Sequence, residues 1–420
     1  MPSEADLLRS LDPEPPTPST VDITRAIAAG RKRRMLRGVG YAGVAAVTTL
    51  VVAGVAVAVG QQGDSPKRST AVAASPSKSA TPPKGDYTIP GTTGWAAPAA
   101  IPPSSCTIEK LPVPDGVKMA IVGGGDPTGS WFVGRSYPNG GYQAVIWHAG
   151  TAQKVMLPGD LEEDLVDVNA KGDAVGWSYV QSKGNDGVQV PYAYVGGKIV
   201  KLKGVATGAA NAINEAGAIA GDGGDHAVVW PSATSAPILL PVPKGTQRST
   251  AGDIDEDGTV VGSLDLKVPY VWFADGTYRA LPLPTINGKK AVSARVFTIR
   301  NGWATGVADA TVQAKPRAGA GTGTVSAVRW NVRTGEVRLD DRGWDDMVDA
   351  ANAQGWAVGM VKGRATFIAG DNKIVLPEVA KHQAGTLSTI ANTMSDDGKV
   401  IAGQSDDASD TIRAVVWHCE

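Results

Sequence analysis

The sequence predicts an all-β protein, a seven-bladed β-propeller with four strands per blade. The first observation is a phrase that returns seven times: an apolar stretch, a polar x-x-Gly turn, and a second apolar stretch ending in Gly. It reads GSWFVG (129–134), NAKGDAVG (169–176), NEAGAIAG (214–221), DEDGTVVG (255–262), RNGWATG (300–306), NAQGWAVG (352–359) and SDDGKVIAG (395–403). The second is its period. The closing glycines Gly134, Gly176, Gly221, Gly262, Gly306, Gly359 and Gly403 are 42, 45, 41, 44, 53 and 44 residues apart. A spacing of about 40–50 residues with several short strands per unit is a propeller signature. The third is composition: 52 Gly and 28 Pro suit a turn-rich chain. The balance of 40 basic against 41 acidic residues supplies no basic field, which argues against nucleic acid as a partner.

Residues 1–37 read as a short polar tail. Ser3 with Asp6, and Ser19 with Asp22, have capping-box spacing on either side of PEPPTP (13–18). Residues 38–60 hold 23 positions without a charge. At ~1.5 Å per residue they cover about 34 Å, enough for one transmembrane helix. A cleaved signal peptide is the competing reading, but 37 residues precede the apolar run and its length exceeds a signal h-region. Arg31, Lys32, Arg33, Arg34 and Arg37 crowd its N-terminal flank, so the tail is expected in the cytoplasm and the remainder outside. Gly38, Ala42 and Ala46 are four apart, the spacing of a helix–helix face, although a generic small-residue span has the same composition. Residues 61–105 are rich in Pro, Ser, Thr and Ala and hold too few large apolar groups to fold. They read as a disordered stalk, with a reach of ~140 Å extended and ~40 Å as a flexible coil.

Residues 106–420 read as the propeller. The third unit shows the layout: NAIN (211–214), AIAG (218–221), AVVW (227–230) and PILLP (237–241) as strands one to four. AVIW (144–147), YVW (270–272), AVRW (327–330) and AVVW (414–417) repeat strand three, while KVMLP, RALPLP and KIVLP repeat strand four. Their β-branched and aromatic content suits strands, and Pro suits an outer edge. The recurring Trp147, Trp230, Trp272, Trp330 and Trp417 are expected to pack between blades rather than to stack on sugars. The seventh unit ends at Trp417-His418-Cys419-Glu420 with no fourth strand, and Thr107–Pro112 has the strand-four pattern. The N-terminal strand is therefore predicted to close the last blade. Cys106 and Cys419, the only two cysteines, flank that junction and are predicted to form a disulfide.

The phrases AINEAGAIAG (212–221) and DVNAKGDAVG (167–176) resemble the IN-x-x-G-x-x-x-G phrase of HAF-type extracellular repeat proteins. The likeness covers residues 117–420. It departs at the fifth unit, where RNG shortens the turn, and where Ala-Val-x-Trp replaces His-Ala-Phe. The stalk and basic-flanked span look like actinobacterial envelope proteins. The resemblance implies an extracellular propeller and carries no defined activity with it.

No catalytic constellation emerges. Asp253, Asp255, Asp257 and Gly258 open like a calcium loop, but Leu264 stands where a bidentate Glu is needed, so a hairpin turn is the expected role. His148, His226, His382 and His418 lie in different units without metal-ligand spacing, and no cofactor or metal is expected. Alternation of strands puts the 1–2 and 3–4 turns on one face and the 2–3 and 4–1 connections on the other. The second set is longer and varies, at 179–191, 308–325, 283–293 and 377–388. Tyr179, Asp186, Lys289, Lys290, Arg317, Trp344 and His382 are the residues expected to contact a partner there. The partner is expected to be an extracellular protein or a cell-wall glycan. A binding or scaffolding module at the cell envelope is the leading reading. A carbohydrate-active propeller with acids drawn from separate blades is the alternative, and a sensor signalling to the tail is the third.

Overall fold

The computed structural model describes residues 100–138, 141–159, 162–180, 187–310, 325–345, 347–352, 354–383 and 387–420. The tail, the apolar span and all but the last residues of the stalk lie outside these, as do Asp186 and Arg317. Among the described residues no helix is long and apolar enough to cross a membrane, and segment 38–60 is not one of them.

The described residues form seven four-stranded antiparallel sheets, one for each repeat. The blades span residues 120–155, 163–201, 208–239, 249–280, 293–339 and 348–375, and the seventh combines 389–419 with 106–110. As the sequence predicts, the strand Cys106–Lys110 pairs with Ile412–Cys419 and supplies the missing fourth strand. Cys106 and Cys419 are directly opposite in that register and are joined by a disulfide. In the first blade the pair His148–Thr151 is linked through the turn residues Ala149 and Gly150. In the seventh the pair His418–Thr107 is linked through the disulfide instead. The crosslink thus stands where the other blade has a hairpin turn.

The recurring glycine has a steric cause. The first strand of every blade carries a β-bulge, at Gly123, Val166, Asn211, Gly252, Phe297, Asp349 and Asn392. The residue before each bulge pairs with the closing glycine of the repeat, as Ala251 does with Gly262. The bulge swings a first-strand carbonyl over that glycine. A Cβ on Gly134, Gly176, Gly221, Gly262, Gly306 or Gly403 would stand 1.8–2.2 Å from this oxygen, and on Gly359 2.8 Å. These glycines are there for lack of a side chain. The turn glycines are there for their backbone: Gly217, for example, has φ +84°.

Two further repeats stitch neighbouring blades. The strand-three tryptophans are buried, and each indole N–H donates to a carbonyl just past the fourth strand of the preceding blade. Trp147 bonds Pro112 at 2.6 Å, Trp230 bonds Lys203 at 2.9 Å and Trp272 bonds Pro241 at 2.7 Å. Trp330 bonds Pro282 at 2.7 Å and Trp417 bonds Pro377 at 2.9 Å. The Leu-Pro motif therefore presents an acceptor as well as ending a strand. Leaving such a buried N–H unpaired costs about 1–3 kcal/mol. On the hairpin side, turn residues hold their own turn and reach for the next. Asn214 Oδ1 accepts from Ala218 N at 3.0 Å, and its Nδ2 donates to the Asp255 carbonyl at 3.2 Å. Asn169 donates likewise to the Asn214 carbonyl, and Asn352 to that of Asp396.

Two expectations about connections need correction. The span 179–191 is strand at both ends, where Ala174–Val180 and Val188–Val195 extend into it, while 181–186 lie outside the described residues. Segment 283–293 contains its own hairpin, Thr285–Ile286 with Lys289–Lys290, so Lys289 and Lys290 are strand residues. Asn287 and Gly288 form its turn with φ +49° and +78°. Asn-Gly is the strongest short hairpin signal, and it is visible in the sequence.

Candidate functional site

The described candidate residues Tyr179, Lys289, Lys290, Trp344 and His382 all fall on the side of the 2–3 and 4–1 connections, distributed over several blades. Two of them do structural work. Trp344 packs with Ala327, Val348 and Ala357, and its ring covers Gly359. His382 is 10% exposed, with Nε2 3.3 Å from the Asp407 carbonyl and 3.6 Å from Asp410 Oδ1. It ties the 4–1 connection to the 2–3 connection of the last blade.

Tyr179 belongs to a larger cluster between the first two blades. Arg135, near the end of Trp131–Ser136, is 6% exposed. Its guanidinium pairs with Glu162, donates to Tyr137 Oη at 2.9 Å, and lies 3.6 Å from Asp164 Oδ2. The Tyr137 and Tyr142 rings meet edge-on at 5.5 Å, and each centroid is about 5.5 Å from the guanidinium carbon. Tyr142 is 36% exposed, so the cluster has an aromatic outer surface. Tyr179 donates its backbone N–H to the Glu162 carbonyl at 2.8 Å and rests edge-on against Trp177.

The charges are arranged unevenly. Burial pushes the Asp164 carboxyl up to about 7, although Arg135 pulls it back. Its Oδ1 is buried without a hydrogen-bond partner. Burial alone would lower Arg135, but Asp164, Tyr137 and Glu162 outweigh it and hold the guanidinium above its ordinary range. Burial and the Glu162 charge raise Tyr179. The sequence reading missed Arg135, Tyr137, Tyr142, Glu162 and Asp164. They fall at repeat positions occupied by other residue types in other units, so periodicity carries no trace of them.

The Asp253, Asp255, Asp257 trio acts as the turn reading expects. Asp253 accepts from Ile254 N and Ile299 N, and Asp255 from Glu256 N and Gly302 N. Asp257 takes Thr259 and the Arg333 guanidinium. The three carboxylates are spent on protein donors in two blades. Among the described residues no group of three His, Cys, Asp or Glu could hold a metal ion.

No family model and no curated protein matches the chain. Solved structures match in fold. The β-propeller domain of the Trilobed protease from Pyrococcus furiosus has a TM-score of 0.46 at 11% identity, over 71% of this chain and 96% of that one. Oligogalacturonate lyase from Vibrio parahaemolyticus gives 0.45 at 10%, over 75% and 97%. Porphyromonas gingivalis dipeptidyl peptidase 4 gives 0.39 at 9%, over 75% of this chain and 53% of that one. The chain thus spans about half of the peptidase. These neighbours differ in activity, and at these scores they assign none to this chain; it is the seven four-stranded sheets that make it a β-propeller.

Proposed function

We propose that the chain is a membrane-anchored extracellular β-propeller of the HAF-type repeat kind, acting as a binding or scaffolding module at the cell envelope. One observation carries this reading. The residues that build the ring recur from blade to blade, whereas the face of the 2–3 and 4–1 connections carries a cluster that does not recur. Arg135, Tyr137, Tyr142, Glu162, Asp164 and Tyr179 place an aromatic, charged surface on a covalently closed scaffold. Rigid scaffolds with non-repeating loops are where recognition evolves. The chain enters the closing strand at its cysteine end, on the hairpin side. A stalk leaving from there would hold that side towards the membrane and present the other outwards.

A cell-wall glycan is the second reading, favoured by three tyrosines beside a carboxyl held near neutrality. The test is retention of envelope extract on immobilised full-length protein, compared with a Tyr142→Ala, Tyr179→Ala double variant. Loss of a specific protein band in the variant supports the scaffold reading. Loss of glycan alone moves the reading to carbohydrate. Equal retention by both proteins removes this face from the proposal.

A further inference from the structure

The hairpin side carries a second, unrelated feature between the fifth and sixth blades. Arg329, in the strand Val325–Asn331, is half-buried beside two other guanidiniums, Arg338 and Arg342. Two carboxylates face them. Asp340 holds Arg342 in a fork, at 2.7 Å and 2.5 Å, and Glu336 pairs with Arg338. Three cations thus meet two anions, and the surplus charge falls on Arg329. Among the described residues Arg329 has no hydrogen-bond partner, and its Nε is buried. Burial lowers its pKa, as do Arg342 and Arg338, against a smaller opposing pull from Asp340.

The surroundings shape a cradle. The guanidinium carbons of Arg329 and Arg338 each lie 5.1 Å from the Trp303 ring centroid, so one indole orients both. Arg338 is 61% exposed, and its ion pair with Glu336 leaves the rest of its guanidinium open to solvent. The Nη1 and Nη2 atoms of Arg329 sit 3.0 Å from where a Cβ on Gly355 would be. The fork end of the guanidinium thus rests on a residue without a side chain, at φ +76°. A planar fork with unused donors, an aromatic platform and an exposed second cation fit one ligand chemistry, an oxyanion.

We propose that Arg329 and Arg338, oriented by Trp303 beside Gly355, form a site for a phosphate or carboxylate group. The site is separate from the Tyr142 cluster, so its failure leaves that reading untouched.

The test is the thermal midpoint of the full-length protein in inorganic phosphate, and separately in galacturonate oligomers, each against chloride at matched ionic strength and pH 7. The matched salt removes general screening. The wild type is expected to be stabilised by one or both anions, rising with the logarithm of concentration. Arg329→Met, which keeps the stem and removes the fork, should abolish the shift. Arg338→Met should weaken apparent affinity about 10-fold, the usual worth of a charge-assisted hydrogen bond. Lys289→Met with Lys290→Met, on the other face, should leave it unchanged. A response to phosphate alone names a phosphate-bearing ligand, and a response to galacturonate alone names a carboxylate-bearing one. The proposal is overturned if neither anion acts beyond chloride, or if Arg329→Met keeps the shift. Should Arg329→Met fail to fold, an unchanged shift in Arg338→Met overturns it equally.

Discussion

The two faces of the ring are built by different rules. On the hairpin side the joints recur: asparagine bonds the turn of the next blade, and in the seventh blade a disulfide stands where another blade has a turn. On the opposite side the connections differ in length and content, and their side chains bond within one interface only, as Arg135 does with Glu162. A substitution on the first face strikes a repeated joint, while one on the second strikes a local cluster. The predictions below test that contrast.

The largest effect is expected at the bulge. Gly262→Val puts a branched side chain where even a Cβ meets the Thr250 carbonyl at 1.8 Å. Urea unfolding should show a loss above about 4 kcal/mol, or no folded protein. A loss under about 1 kcal/mol would mean the bulge yields easily and the recurring glycine has another cause. Next comes the clasp. Cys106→Ser with Cys419→Ser opens a crosslink of sequence separation 313, and should cost about 2–5 kcal/mol. Trp330→Phe keeps the buried ring but leaves the Pro282 carbonyl without its indole donor. About 1–2 kcal/mol is expected there, in the same assay. Lys289→Ala, exposed on the small hairpin, should stay within about 0.5 kcal/mol.

A pH series tests the molecule by titration rather than substitution. Burial raises Glu163, Asp164, Asp222 and Asp253 to about 7, and Asp167 to about 8. An unfolded carboxyl titrates near 4, so the folded state binds more protons between about 4 and 8. These groups contribute stability that is complete below about 4 and lost as pH rises through 7 to 8. Asp340 and Asp407 are lowered instead, and act only at more acid pH. The urea midpoint should therefore fall from pH 5.5 to pH 8.5. A flat or rising profile would mean these carboxyls remain charged in their bonds to backbone N–H groups, such as Asp167 with Ile213.

What was legible in the sequence follows the same division. Seven blades, their strand order and the closure by Cys106–Lys110 could be read because the same physical demand recurs seven times. The bulge behind each glycine could not be read, since it is a backbone event with no residue type of its own: Gly, Val, Asn, Phe and Asp all occupy it. The Arg135 cluster was invisible for the opposite reason, because it occurs once. Trp344 and His382 are expected to meet a partner, and what the sequence does not show is that each also packs against a neighbouring connection. Sequence separation hides the contact between Arg329 and Gly355, which only the packing of adjacent blades brings about.

The borrowed strand has a consequence in time. Cys106–Lys110 is synthesised ahead of all seven repeats, yet its partner Ile412–Cys419 is made after every other strand of the ring. Six blades can assemble from neighbouring segments while that first strand waits with its ladder groups open. Its pairing is the most distant contact in the sheet system and therefore the slowest to form. Completion of the ring is thus a late event, postponed until the seventh repeat has been made, and oxidation of the two cysteines records that it has happened.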